Sequence, residues 1–135
     1  MATGFFNVPN AQNEVVRNYG PGTTDRKKLK EAIAQLRSEV RDIPMFIGSE
    51  EIRDGQKLSI HPPHDHKHLL GYYYKSEKKH ITAAIDASLA AREKWINMSW
   101  EHRASIFLKA ADLIAGPYRM ELNAATMLGQ SKNAF

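Results

Sequence analysis

The sequence predicts an α/β chain, and three observations carry that prediction. Leu29, Ala32, Ile33, Leu36 and Val40 recur at the 3.6-residue period of one helix face. Between Ile43 and Tyr74 the period changes to short β-leaning runs interrupted by turn residues. From Ser76 onward helical spacings return, bracketed by capping and breaking residues. Their order gives an extended arm, a helix, edge β-hairpins and three successive helices.

Residues 1–22 contain Pro9, Gly20, Pro21 and Gly22 with scattered apolar positions, so they read as an arm lying on another surface. Val8, Val15, Val16 and Tyr19 are its expected anchors. Thr24 or Asp25 caps a helix expected to run to about Val40. On that helix Arg26, Lys30, Arg37 and Arg41 would form a basic stripe beside the apolar face. Such side chains commonly lie along apolar surface with their charges in water, and no aromatics are interleaved as a nucleic-acid surface would require.

The β-leaning runs are Pro44-Met45-Phe46-Ile47-Gly48, Glu51-Ile52, Lys57 to Ile60 and Leu69 to Tyr74. Gly48, Asp54-Gly55 and the loop from His61 to His68 separate them, and Asp54-Gly55 is the strongest hairpin-turn signal. Ser76 is expected to cap a helix to about Trp95, with Ile81, Ala84, Ile85, Ser88, Leu89 and Ala91 on or near its buried side. Ser99 caps the next, with Ile106, Phe107, Ala110, Leu113 and Ile114 at helical spacings. Gly116-Pro117 stops it and starts a last helix from Pro117 to Leu128, with Gly129 as its C-terminal cap.

At 135 residues, 42% hydrophobic and 25% charged, the composition is that of a globular chain able to bury a modest core, which excludes a disordered polyampholyte. No run reaches the ~20 apolar residues of a membrane-spanning helix, and the first residues resemble neither a secretory leader nor a transit peptide. A cytoplasmic setting is the expectation, or the mitochondrial matrix in a eukaryote. The net charge of +4 is dispersed, so no basic tail addresses nucleic acid. No cysteine is present, which removes disulfides, zinc–thiolate sites and a thiol nucleophile from these residues.

Four histidines, His61, His64, His66 and His68, lie beside Asp65 in one loop. On a strand, His64, His66 and His68 would share a face and could meet zinc or copper. Pro62 and Pro63 oppose a regular strand, and the spacing is no recognised ligand pattern, so a solvated hydrogen-bonding loop is the preferred reading. Trp95 and Trp100 flank a helix junction as packing anchors. Tyr72 and Tyr74 can act together on one strand face. Gly20-Pro21-Gly22 precedes a helix but lacks the preceding strand and third glycine of a dinucleotide fingerprint. Asp86 with Glu93, and Glu101 with Asp112, read as solvated helix faces. The residues themselves therefore assign no catalytic, cofactor-binding or metal site.

Resemblance adds what the residues alone do not. Ala87 to Trp95, with Arg103 to Leu113, resembles the two early helices of the aldehyde dehydrogenase superfamily, where a Trp closes the first and an Arg opens the second. Ile47-Gly48 matches that superfamily's opening hairpin. Asn13-Glu14, Pro63-His64-Asp65-His66, Ile106 to Pro117 and Asn123 to Lys132 are similar to the 1-pyrroline-5-carboxylate dehydrogenase family within it. Val15 departs from that family's usual proline after the Asn-Glu pair.

The resemblance implies an aldehyde dehydrogenase fold and NAD-dependent oxidation of L-glutamate γ-semialdehyde, in equilibrium with 1-pyrroline-5-carboxylate, to L-glutamate in proline degradation. In that family a cysteine thiolate attacks the aldehyde, hydride passes to NAD, and glutamate-assisted water releases the product. It implies an arm over 1–22 and an incomplete opening portion of the cofactor-binding domain over 23–135. Catalytic and NAD-binding residues are then expected beyond Phe135, and these residues alone are expected to be inactive. A homo-oligomer and a functional link to proline dehydrogenase are expected partners, with no nucleic acid and no membrane. Two other readings are a small basic helical binding module and a stand-alone interaction protein.

Overall fold

The computed structural model describes residues 10–134. Its elements in order are α1 (Thr24–Ser38), β1 (Arg41–Ile43), β2 (Met45–Ile47), β3 (Glu50–Ile52), β4 (Lys57–Ile60), β5 (Gly71–Tyr74), α2 (Lys78–Asn97), α3 (Trp100–Ala115) and α4 (Arg119–Gln130). The arm's described part, up to Gly20, has no regular secondary structure.

Helix α1 begins one residue before the expected position. Thr23 holds extended backbone, its hydroxyl accepts from Arg26 N–H at 3.4 Å and donates to Gly20 O at 2.8 Å, so Thr23 is the cap rather than Thr24 or Asp25. The helix ends at Ser38, which leaves Val40 outside it and exposed. The basic stripe breaks up for the same reason. Arg41 lies in β1 and pairs with Glu39 and Glu121, Arg37 reaches Asp65, and Arg26 donates to Tyr19 O.

The core lies between α1 and α4. Leu29 and Leu36 meet Ala124 and Leu128, with Ala32, Ile33, Leu70, Met120 and Met127 packed around them. Ala124 is 0% exposed, so the two helices approach closely where it carries only a methyl. Tyr19 closes one end of this core, accepting at its hydroxyl from Asn123 Nδ2 at 3.1 Å. It is the arm anchor that holds: Val15 and Val16 are 80% and 95% exposed, and Val8 falls outside the described residues. Glu14 instead fixes the arm through an ion pair with Arg119 of α4.

The strands form two small sheets. In one, β5 is central, parallel to β1 and antiparallel to β4; in the other, β2 pairs antiparallel with β3. Gly48, at φ 61°, turns β2 into β3 as the first residue of a two-residue hairpin loop. Asp54-Gly55 is not a hairpin turn, because β3 and β4 belong to different sheets; it is a bend that carries the chain from one to the other. Strand β1 had no periodic signal in the sequence: three residues, all exposed, are held by pairing with β5.

The cap of α2 is Glu77 rather than Ser76, and its backbone N–H donates to His80 Nδ1 at 3.0 Å. Ser99 caps α3 as expected, accepting from His102 N–H. Gly116 ends α3, and α4 starts at Arg119 instead of Pro117. Gly129 lies inside α4, whose C-cap is Ser131 in the left-handed region at φ 55°. Of the residues expected to be buried on α2, Ala84 is half-buried, whereas Ile81, Ile85, Ser88, Leu89 and Ala91 are exposed. On α3, Ala110 and Leu113 are half-buried, and Ile106, Phe107 and Ile114 are exposed. Periodicity alone thus overstated burial on α2 and α3, because most of these side chains meet no covering element among the described residues.

Candidate functional site

The histidine loop joins β4 to β5 as two successive turns, not as a strand. Asp65 N–H donates to Pro62 O and His68 N–H to Asp65 O, at 3.0 and 3.1 Å. Pro62 is fully buried beneath them. His64, His66 and His68 therefore do not share a strand face, and His61, His64 and Asp65 anchor the loop. His61 Nδ1 lies 2.8 Å from His68 O, and His64 Nδ1 lies 2.8 Å from the Ser131 hydroxyl past the end of α4. Arg37 of α1 donates to Asp65 at 2.7 Å, and this guanidinium holds the Asp65 carboxyl below its usual range. Among the described residues no three His, Asp or Glu groups gather where they could hold a metal.

A second cluster covers the β4–β5 face. Lys57 pairs with Tyr74 in register and sits over the Tyr72 and Tyr74 rings, 4.6 and 5.7 Å from their centroids. Asp42 of β1 accepts from Lys57 at 3.1 Å and from the Tyr74 hydroxyl at 3.0 Å, with Arg53 at 3.6 Å. The Lys57 hydrogen bond lowers the Asp42 carboxyl, and Asp42 in turn raises Lys57. Tyr72 and Tyr74 thus do act together, as a seat for a lysine. The charges are mutually satisfied at the surface, which is the chemistry of an ion-pair network rather than of an acid or base poised for catalysis.

The third feature is the uncovered side of α2 and α3. Trp95 meets Phe107 edge-on, ring centroids 6.4 Å apart at 79°, and so ties the end of α2 to α3. Ser88, Leu89, Ala91, Arg92, Lys94, Trp95 and Met98 line an open groove of about 690 Å³. Ile81, Ile85, Ile106 and Ile114 extend the exposed apolar surface along both helices. Exposed apolar surface of this kind marks a packing or binding surface. Gly20-Pro21-Gly22 leads into α1 with no strand among the described residues 10–19 before it, so this segment does not match a dinucleotide fingerprint.

Comparison with known proteins gives one consistent result. The aldehyde dehydrogenase family model matches residues 51–134. A delta-1-pyrroline-5-carboxylate dehydrogenase of Agaricus bisporus is 38% identical over 131 residues, covering 96% of this chain and 24% of that protein. The mitochondrial delta-1-pyrroline-5-carboxylate dehydrogenase of Homo sapiens is 37% identical over 120 residues, covering 89% and 21%. The crystal structure of the Mycobacterium tuberculosis delta-pyrroline-5-carboxylate dehydrogenase bound with NAD superposes with a TM-score of 0.91 at 35% identity, covering 96% of this chain and 24% of that one. The chain thus spans about a quarter of the length of the relatives it matches.

Proposed function

The chain belongs to the aldehyde dehydrogenase family, and from that premise we propose that it serves as the opening segment of a 1-pyrroline-5-carboxylate dehydrogenase. The reaction is the NAD-dependent oxidation of L-glutamate γ-semialdehyde to L-glutamate. The observation that carries this reading is likeness over nearly the whole chain, at 35% identity and a TM-score of 0.91, to an enzyme of that name.

In this proposal the residues contribute architecture and none of the chemistry. With no cysteine in the sequence, the attacking thiolate is supplied from outside these 135 residues. NAD is likewise held by residues elsewhere in this proposal. The α1–α4 core, pinned by Tyr19 and Glu14, holds the small sheets and presents the apolar side of α2 and α3 for burial. The division into an arm over 1–22 and a cofactor-domain portion over 23–135 belongs to this proposal. So do a homo-oligomeric complete enzyme, a functional link to proline dehydrogenase, and a cytoplasmic or mitochondrial-matrix location. Several relatives are named mitochondrial, and no helix among the described residues is long and apolar enough to cross a membrane.

A chimera tests the reading. Residues 10–134 replace the matching segment of the Mycobacterium tuberculosis enzyme, and NADH formation from 1-pyrroline-5-carboxylate is followed. Turnover within about tenfold of the parent is expected, a barrier change of about 1.4 kcal/mol. A folded chimera that binds NAD but does not turn over would refute the segment's equivalence. The isolated chain is expected to form no NADH, and turnover by it would overturn the placement of catalysis outside these residues.

A further inference from the structure

His80 is the one buried polar residue among those described, at 5% exposure, and neither the fold core nor the proposed reaction uses it. It stands where the Asp54–Gly55 bend meets the first turn of α2. Gly55 takes φ 101°, where a side chain would be strained, and a Cβ there would meet Lys75 O at 2.7 Å and His80 Cε1 at 3.8 Å. The bend therefore lies directly against the imidazole. Its Asp54 carboxylate accepts from Gly55 N–H at 2.7 Å and from the Lys79 ammonium.

The hydrogen-bond partners fix the state of the ring. Glu77 N–H can only donate, and it lies 3.0 Å from His80 Nδ1, so Nδ1 must present a lone pair. The ring is then neutral, with its proton on Nε2. Nε2 has no hydrogen-bond partner of its own and sits 3.5 Å from Asp54 Oδ2, within ion-pair reach. The charged groups around the ring are Asp54 from the bend and Glu77 and Lys79 from the helix start, the last two 3.6 Å apart.

We propose that His80 is a proton-sensitive latch between the start of α2 and the Asp54–Gly55 bend, closed by the neutral imidazole and released at Nδ1 by protonation. One proton from solvent occupies the Nδ1 lone pair and makes the ring a cation. Two N–H donors then face each other across the 3.0 Å that separated donor from acceptor, so Glu77 and the ring must part. The same charge draws Nε2–H toward the Asp54 carboxylate, so the ring stays with the bend and the helix start moves. The opening is local: α2 loses its first-turn restraint while the α1–α4 core, which His80 does not join, is unaffected.

The proposal is independent of the enzyme assignment and is tested on the full 135-residue chain labelled with 15N. At pH 8 the imidazole 15N shifts should report the Nε2–H tautomer of His80. Between about pH 8 and 5, where an imidazole changes charge, hydrogen exchange corrected for its intrinsic rate should lose protection at the first turn of α2 and not in α4. The expected loss is about threefold to tenfold, the factor for one hydrogen bond. His80→Asn keeps an acceptor but cannot titrate, and should make the profile flat. Asp54→Asn removes the carboxylate that draws Nε2–H and should reduce the loss of protection. An Nδ1–H tautomer in the unaltered chain at pH 8, or an unchanged profile in either variant, would overturn the latch.

Discussion

Gly71→Ala isolates the contact on which the three-stranded sheet depends. Gly71 is buried at the start of the central strand β5, between Arg41 of β1 and Ile60 of β4. An added Cβ would lie 2.3 Å from Arg41 O, 3.1 Å from Arg41 C and 3.2 Å from Arg41 N, all backbone atoms. Moving from 2.3 Å to the 3.4 Å of ordinary contact takes a shift of about 1.1 Å, and no flexible side chain can absorb it. That shift pulls β1 from its partner and stretches the 3.0 Å bond from Arg41 N–H to Leu70 O beyond hydrogen-bond range. Overpacking of this kind costs about 1–3 kcal/mol, and the lost bond about 1 more, so the variant should lose ~2–4 kcal/mol. Urea unfolding followed by far-ultraviolet circular dichroism measures it. Gly129→Ala supplies the control, because nothing lies within 4 Å of its Cβ position and its backbone is helical. The same chemical change there should leave stability level or raise it by about 0.4–1 kcal/mol. A Gly71→Ala loss below about 0.5 kcal/mol, or equal effects at both sites, would refute the reasoning.

Three further outcomes are expected. Phe107 is 67% exposed and touches Trp95 only edge-on, so Phe107→Ala in this chain should cost no more than ~1.5 kcal/mol, whereas a core-sized loss of about 3–5 kcal/mol would show that this face is buried in solution. The carboxyls of Asp42, Asp54 and Asp65 are held below their ordinary 3.8, chiefly by Lys57, Lys79 and Arg37, so their contribution is complete above that value and lost as the pH falls through it. Lys57 and Lys79 are raised above 10.5, so theirs is complete below that value and lost as the pH rises past it; the melting temperature should fall at both extremes, and a curve flat down to pH 3 would contradict the pairs. EDTA should leave the melting temperature of tag-free protein unchanged, because His61, His64 and Asp65 are engaged by His68 O, Ser131 and Arg37; a stoichiometric metal whose removal lowers it by many degrees would restore the metal reading.

The sequence by itself determined the elements whose signals are local. The period of Leu29 and Leu36 located the buried side of α1, Ser99 marked the start of α3, and Gly116-Pro117 marked the break before α4, because capping and helix-breaking act through bonds within a few residues. Family motifs likewise stood in the sequence. It left open every choice between neighbours of similar chemistry: Thr23 displaced Thr24 and Glu77 displaced Ser76 according to backbone direction, which composition does not encode. Only the tertiary structure created β1, since three exposed residues have no strand pattern until β5 offers them bonds. Only it turned the histidine loop into a clasp on α1 and α4, joining residues as far apart as His64 and Ser131. Periodicity shows which side of a helix is apolar, but burial requires a partner at that side. Leu29 finds one in α4, whereas Ile81, Ile85 and Leu89 remain exposed.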